Sequence, residues 1–519
     1  MRVVALALAL VSAFLVSAVW AADDAPIVFK RNKEFCYRIP SLAMVGDSYV
    51  AVAQRRRGIF DERPCADDGN IDLVARIAGP GQRWSKEVVI VDADRLGWEM
   101  SDKASPIYDP DFAVVAPERR LVRAGAQSLV AVGRRLVLMF TVRYNLENAC
   151  DGKKICENSA RNRFRGDAKD RFFITSSDDG GRHWAPPRRI HSQLLNACAD
   201  RLVRNPAVRK AISPLLADDR RMAPAASEAL QFIRQNTRGP KALAANLLQL
   251  ADLIGVAGDA LKAEQSALKT LFDADVRVGP GNAVAFPHKD SARIVFPSIP
   301  FGVYSDDGGK TFGCGDTGAI RLGSERQIAW MGGDTLLMTL RHRDDDAKER
   351  LFSISRDGGL TWTADAPIAD APIPDAAAQG SIVGIWDANP PYAVHFNLVN
   401  VDQGPIRQRK KGTDVDLRSN LSSVKLFLEN GQPEPGTRRG CALGTARAAI
   451  AFEPVWPGSS GYSAPVYDEP RREIGILFEA GDNKGPDLAF RAYQESIRFR
   501  LLPLSGVRGQ MPGSGACSQ

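Results

Sequence analysis

One short motif occurs three times in this chain. The stretches "SSDDGGRHW" (176–184), "YSDDGGKTF" (304–312) and "SISRDGGLTW" (353–362) share the pattern Ser-x-Asp-x-Gly-x-x-aromatic. It is carried by Ser177, Asp179, Gly181 and Trp184, then Ser305, Asp307, Gly309 and Phe312, then Ser355, Asp357, Gly359 and Trp362. A degenerate copy ends in "GQRW" (81–84). An aspartate can accept backbone N–H groups and a glycine supplies a left-handed residue, so each copy predicts a tight turn. The aromatic then plugs the turn onto the sheet beneath. Copies this far apart read as staples of a repeating fold rather than as separate sugar or calcium sites.

Between the copies lie short β-rich runs such as "SYVAVAQ", "IDLVARI", "RLVLMFTV", "DTLLMTLR", "SVKLFLE" and "EIGILFE", each bounded by Gly, Asp, Asn or Pro. Many short strands with a recurring hairpin signature predict an all-β chain of the propeller type. One segment breaks the pattern. From 192 to 273 the composition turns to Ala, Leu, Arg and Gln, and Leu243, Leu247, Leu250, Ile254, Ala257, Leu261, Leu268 and Leu271 recur at threes and fours. That is a helical face beginning after Pro240. The expected organisation is a signal peptide over 1–21, a first part of the propeller over 22–191, an α-helical insertion over 192–273 and the remainder over 274–519. The insertion reads as a packing appendage, with a lid or dimer contact as the alternative.

The start, "MRVVALALALVSAFLVSAVWA", pairs a basic residue, Arg2, with an apolar run and a small-residue cleavage site at Val19-Trp20-Ala21. It predicts a secreted or periplasmic protein with no stable membrane insertion after removal of the signal, since no second long apolar run follows. All eight cysteines lie beyond it, which in an exported chain predicts disulfides, with Cys150 and Cys156 as the simplest local pair. No Cys or His spacing suits zinc. The net charge of +7 comes without a basic helix or interleaved aromatics, so nucleic acid is not an expected partner. An acidic small substrate suits it better.

The three aspartate boxes together with "YRIPSL" (37–42) resemble the exo-α-sialidases (neuraminidases) of the cellular, non-viral type. The resemblance runs over nearly the whole chain outside 1–21 and 192–273. It implies a six-bladed β-propeller, a retaining glycoside hydrolase without metal or organic cofactor, and sialylated glycans or glycoconjugates as partners. Matched position by position, Arg38, Arg341 and Arg418 grip the substrate carboxylate, a task for the planar fork of arginine rather than for lysine. Arg407 and Arg409 compete for the third place. Arg56 matches a further pocket arginine, with Arg55 and Arg57 flanking it. Glu479 matches the residue that braces Arg38.

The resemblance also implies a tyrosine nucleophile, at Tyr462 in "SGYSAPVY", with Tyr467 as a nearby decoy. A carboxylate nucleophile would be repelled by the substrate's own carboxylate beside the reacting carbon; a phenol avoids this if a base takes its proton. Glu325 in "GSERQIAW" matches that base. The acid, in the family an aspartate in the loop before the second strand, falls among Asp67, Asp68 and Asp72, and counting back from "IDLV" favours Asp67, with Asp68 next. The loop "VGPGNAV" (278–284) matches one beside the family's site. Cys36 is expected to pair with Cys65 and tether the acid loop.

One position departs from the family pattern. An Asp or Asn that contacts the sugar ring is expected where this chain has Ala126-Gln127, leaving Gln127, Asp109 or Asp111 as substitutes. Two rival functions share the residues. A trans-sialidase would need an aromatic acceptor platform, which the sequence does not reveal. A sialic-acid lectin would have lost the tyrosine, glutamate or acid, and all three positions are occupied.

Overall fold

The computed structural model describes residues 25–57, 65, 70–113, 122–144, 169–191, 193–194, 197, 277–299, 302–315, 320, 322–343, 349–368, 373–375, 378–399, 419–428, 446–448, 453–481 and 494–506. Among these the chain is nearly all β. The expected signal peptide, almost all of the expected insertion and the Cys150–Cys156 pair lie outside the described residues. The described helices are short, Ala93–Ser101 and Pro110–Ala113, the first capped by the Asp92 side chain on Arg95 N–H. No described helix is long and apolar enough to cross a membrane.

The strands form antiparallel meanders. Phe35–Val45, Ser48–Arg57, Ile71–Ala78 and Val88–Val91 make one. Val122–Val132, Arg135–Tyr144, Lys169–Ser177 and Arg188–Arg189 make the next, joined to the first through the parallel pair Ile71 and Arg123. Then come Val284–His288 to Gly313–Gly315, and Gly323–Trp330 to Leu351–Ser355. A large mixed-origin sheet holds Ser381–Ile385, Tyr392–Leu398 and Ser419–Leu428, then Glu453–Asp468, Glu473–Ala480 and Ser496–Pro503. Its edge is the first described strand, Ile27–Lys30, paired antiparallel with Ser496–Pro503. Two-residue hairpins at 46–47 and 133–134 turn through Gly46 and Gly133, both at positive φ (55° and 58°), where a side chain would be strained.

The first strands of successive meanders touch in a cycle: Phe35–Val45 meets Val122–Val132, then Val284–His288, Gly323–Trp330, Ser381–Ile385 and Glu453–Asp468, which returns to Phe35–Val45. The hydrogen-bonded sheets themselves do not close into one ring. Apolar cores fill the spaces between neighbours. One joins Val50, Val52 and Leu73 to Leu129, Leu138 and Phe173; another joins Leu42 and Ala53 to Ala464 and Leu477. Because both faces are covered, Ser48–Arg57 carries an almost unbroken buried run rather than an alternating one.

The three repeat turns share one geometry. In each, the serine hydroxyl donates to the aspartate (2.9, 2.9 and 2.8 Å) and accepts the N–H of the second glycine (2.9, 2.8 and 2.8 Å). At Asp179, the backbone N–H and ring of His183 hold the carboxyl well below the usual carboxylate range. That second glycine lies against the preceding meander. A Cβ on Gly309 would stand 3.2 Å from Val137, and one on Gly359 would stand 3.1 Å from Val295. The turns therefore clamp each meander to its predecessor.

Candidate active site

At the centre of the cycle, four of the meeting strands carry a bulge. The register shifts between Arg38 and Ser41, Gly125 and Ser128, Ser324 and Arg326, and Ser460 and Ser463. A bulge bends the strand and re-aims a side chain. Ile39 (φ 56°), Ala126 (φ 46°) and Glu325 (φ 24°) all sit at positive φ without being glycine. For a β-branched residue such as Ile39 that is a genuine outlier, held by the surrounding structure, and such outliers gather at functional sites. Pro40, which has no N–H to lose, fits within the bulge.

The bulges surround a cavity of about 300 Å³. Arg38, Arg56, Glu325, Arg341 and Tyr462 all line it. The Tyr462 hydroxyl donates to Glu325 Oε1 at 2.5 Å. The other oxygen of Glu325 receives the Arg341 guanidinium at 3.1 Å. Glu325 thus bridges an arginine and a tyrosine from two different strands.

Opposite lies Arg38, bidentate on Glu479 with both contacts at 3.0 Å. Glu479 is fully buried and does more than brace Arg38: it also accepts the backbone N–H groups of Ile39 (2.8 Å) and Tyr462 (3.1 Å). A buried carboxylate with several N–H donors and a paired guanidinium is compensated for its lost hydration. The Arg38 guanidinium stands 5.4 Å from the centre of the Tyr462 ring.

The remaining expectations separate cleanly. Among the three neighbouring arginines, Arg56 faces the cavity, held by Gln54 (3.0 Å) and by the Cys65 carbonyl (3.2 Å). Strand alternation sends Arg55 and Arg57 to the other face, where both bind Asp72. Asp72 is fully buried in those ion pairs and also accepts the Ala93 N–H, which removes it as the acid. Asp67 and Asp68 lie outside the described residues, as do Arg418, Arg407 and Arg409. The Cys36–Cys65 disulfide is present, with Cα atoms 5.2 Å apart. Tyr467 donates to Asp387 (3.0 Å) and does not line the cavity, so it is no nucleophile. The loop containing Gly279 and Pro280 does line it.

Two of the three substitutes for the departed aspartate, Gln127 and Asp109, do not reach in. Gln127 is fully buried and holds the backbone instead, donating to the Ile39 carbonyl and accepting from Gln54 at 3.2 Å. Asp109 is buried against Arg171 and Arg189. The Asp111 side chain lies outside the described residues. The cavity wall at this point is Gly125 and Ala126, with Arg123, Thr141 and Arg143 beside them. Arg123, Arg143 and Arg277 are cavity residues that the sequence reading missed. The available signal was alternation: Arg123 follows buried Val122, and Arg143 follows buried Val142. No cluster of three or more metal-ligating side chains occurs among the described residues.

No protein-family model matches the chain, and no curated protein matches it. Solved structures do. The intramolecular trans-sialidase from Ruminococcus gnavus shares 13% identity over 94% of this chain and 99% of its own, with a TM-score of 0.53. A leech intramolecular trans-sialidase shares 13% identity over 93% of this chain and 70% of its own, with a TM-score of 0.54. A Hadza microbial sialidase shares 13% over 92% and 67%, with a TM-score of 0.50. The chain has the fold of the sialidases and trans-sialidases.

Proposed function

We propose that the protein is an exported, six-bladed β-propeller and a retaining exo-α-sialidase that releases terminal sialic acid from glycoconjugates. The observation that carries the reading is the 2.5 Å contact of Tyr462 with Glu325, set in one cavity with Arg38 and Arg341. The cycle of meanders and the fold shared with sialidases support the architecture. A disulfide suits an oxidising compartment.

In this mechanism Arg38, Arg341 and Arg418 hold the substrate carboxylate through paired N–H donors. That seats the anomeric carbon over Tyr462. Glu325 takes the phenol proton as the Tyr462 oxygen attacks that carbon. The glycosidic bond breaks, its electron pair leaves with the aglycone oxygen, and Asp67 protonates that oxygen. Asp67 then removes a proton from water, which attacks the sialyl-tyrosine carbon. The tyrosine oxygen leaves and recovers its proton from Glu325. Two inversions retain configuration.

A second reading has its own support, since two of the structural neighbours are intramolecular trans-sialidases, the leech protein in complex with 2,7-anhydro-Neu5Ac. Here a hydroxyl of the sugar itself would replace water in the second step. A fluorogenic sialoside assayed from acidic to neutral pH tests the reading. We expect turnover with free sialic acid as the product. An anhydro-sugar product selects the second reading, and no turnover by folded protein overturns both.

A further inference from the structure

Six arginines line the cavity, and Glu325 is the one acidic side chain lining it among the described residues. The proposed mechanism engages Arg38 and Arg341 with a single carboxylate. Arg123, Arg143 and Arg277 come from Val122–Val132, Arg135–Tyr144 and Arg277–Val278, three strands that touch one another. Arg123 and Arg143 are direct cross-strand partners on Val122–Val132 and Arg135–Tyr144. Asp170 stands opposite Arg143 on the next strand, and Arg123 neighbours Ile71 on its other side.

A guanidinium has five N–H donors, so an arginine held along one edge still presents another. Gly125 and Ala126, which offer little bulk, line the same cavity from the strand of Arg123, and Arg277 joins them from the segment ahead of Gly279. A hydroxyl or an amide needs one or two donors. Three guanidinium groups that line one cavity from adjoining strands match an oxyanion with several acceptor oxygens.

We propose that these three arginines recognise a second anionic group on the same sugar, so that the preferred substrate is a sialic-acid-type sugar carrying a sulfate or phosphate ester as well as its carboxylate. The inference rests on the sialidase reading of the site and deepens its substrate class. A cavity of about 300 Å³ is at the small end for ligand sites and suits one substituted sugar, with the aglycone outside.

Calorimetry on the full protein tests this without requiring turnover. The probes are N-acetylneuraminic acid, its 9-phosphate, its 4-sulfate and 8-sulfate, and a sulfur-linked disialic acid whose second carboxylate lies on the neighbouring sugar. At least one ester should bind tenfold or more tightly than the parent acid, and Arg143→Gln and Arg123→Gln should each reduce that ratio by at least threefold. A structural role alone would lower both affinities together and leave the ratio fixed, which would overturn the proposal. So would preference for the disialic acid alone, which would move the second anion to the neighbouring sugar, or equal binding of all probes. Failure of the sialidase reading is separate: it would appear as absence of turnover on the unsubstituted fluorogenic sialoside.

Discussion

Glu479 accepts the backbone N–H of Tyr462 with one oxygen of the carboxylate whose two oxygens hold Arg38. The residue that braces Arg38, the arginine proposed to bind the carboxylate, therefore also fixes the chain at Tyr462, the proposed nucleophile. Removing one partner of a buried ion pair leaves the other charge stranded, at about 3–5 kcal/mol. Glu479→Ala should lower the urea midpoint sharply, with Glu479→Gln less damaging because it keeps the shape. Equal midpoints for wild type and Glu479→Ala would show that the pair is not holding this strand junction.

Arg341 binds Glu325 and, in the proposed mechanism, the substrate carboxylate. Lysine keeps the charge but loses the planar fork. Arg341→Lys should lower kcat/KM on the fluorogenic sialoside by at least about tenfold, equivalent to about 1.4 kcal/mol. A variant with wild-type kcat/KM would remove Arg341 from the carboxylate grip.

The Cys36–Cys65 bond closes 29 residues of chain and ends two residues before Asp67. Loop closure of this length stabilises by about 3–4 kcal/mol. The double variant Cys36→Ala, Cys65→Ala should lose midpoint stability and also kcat, because the Cys65 carbonyl helps hold Arg56. Loss of stability with unchanged kcat would separate the tether from the acid segment.

His395 is fully buried, with its ring nitrogen 3.0 Å from Thr339 Oγ1. Burial, with the nearby charge of Arg350, pushes its pKa well below 6.5. Below pH 6.5 the unfolded chain binds a proton there that the folded chain refuses, so stability falls as pH falls, by up to about 1.4 kcal/mol per pH unit for this one group. His395→Gln should flatten the decline in urea midpoint between pH 6.5 and 5. An unchanged slope would assign the acid sensitivity to other groups.

Much of this site could be read in the sequence because its chemistry needs particular residue types. Arg38, Arg341, Glu325 and Tyr462 were placed from motifs and do share one cavity. The Arg55-Arg56-Arg57 ambiguity required the strand's alternation, which only a fixed register supplies. The bulges at Ile39, Ala126 and Glu325 leave no mark in hydrophobic pattern, since each inserts a residue without changing composition. Gln127 looked like a substitute ligand because it stands where the family pattern has an Asp or Asn, but its neighbour Ala126 sits at positive φ and the Gln127 amide is buried against Gln54 and Ile39. Arg123 and Arg143 are separated by a full hairpin, so their opposition becomes visible only once that hairpin's register is known.

In the proposed mechanism Tyr462, activated by Glu325, is the nucleophile. Incubation with 2,3-difluorosialic acid, which forms a slowly hydrolysed glycosyl-enzyme, followed by peptide mass spectrometry tests it directly. One sialyl adduct, on Tyr462 and absent in Tyr462→Phe, is expected. A label on an aspartate, a glutamate or Tyr467 would contradict it.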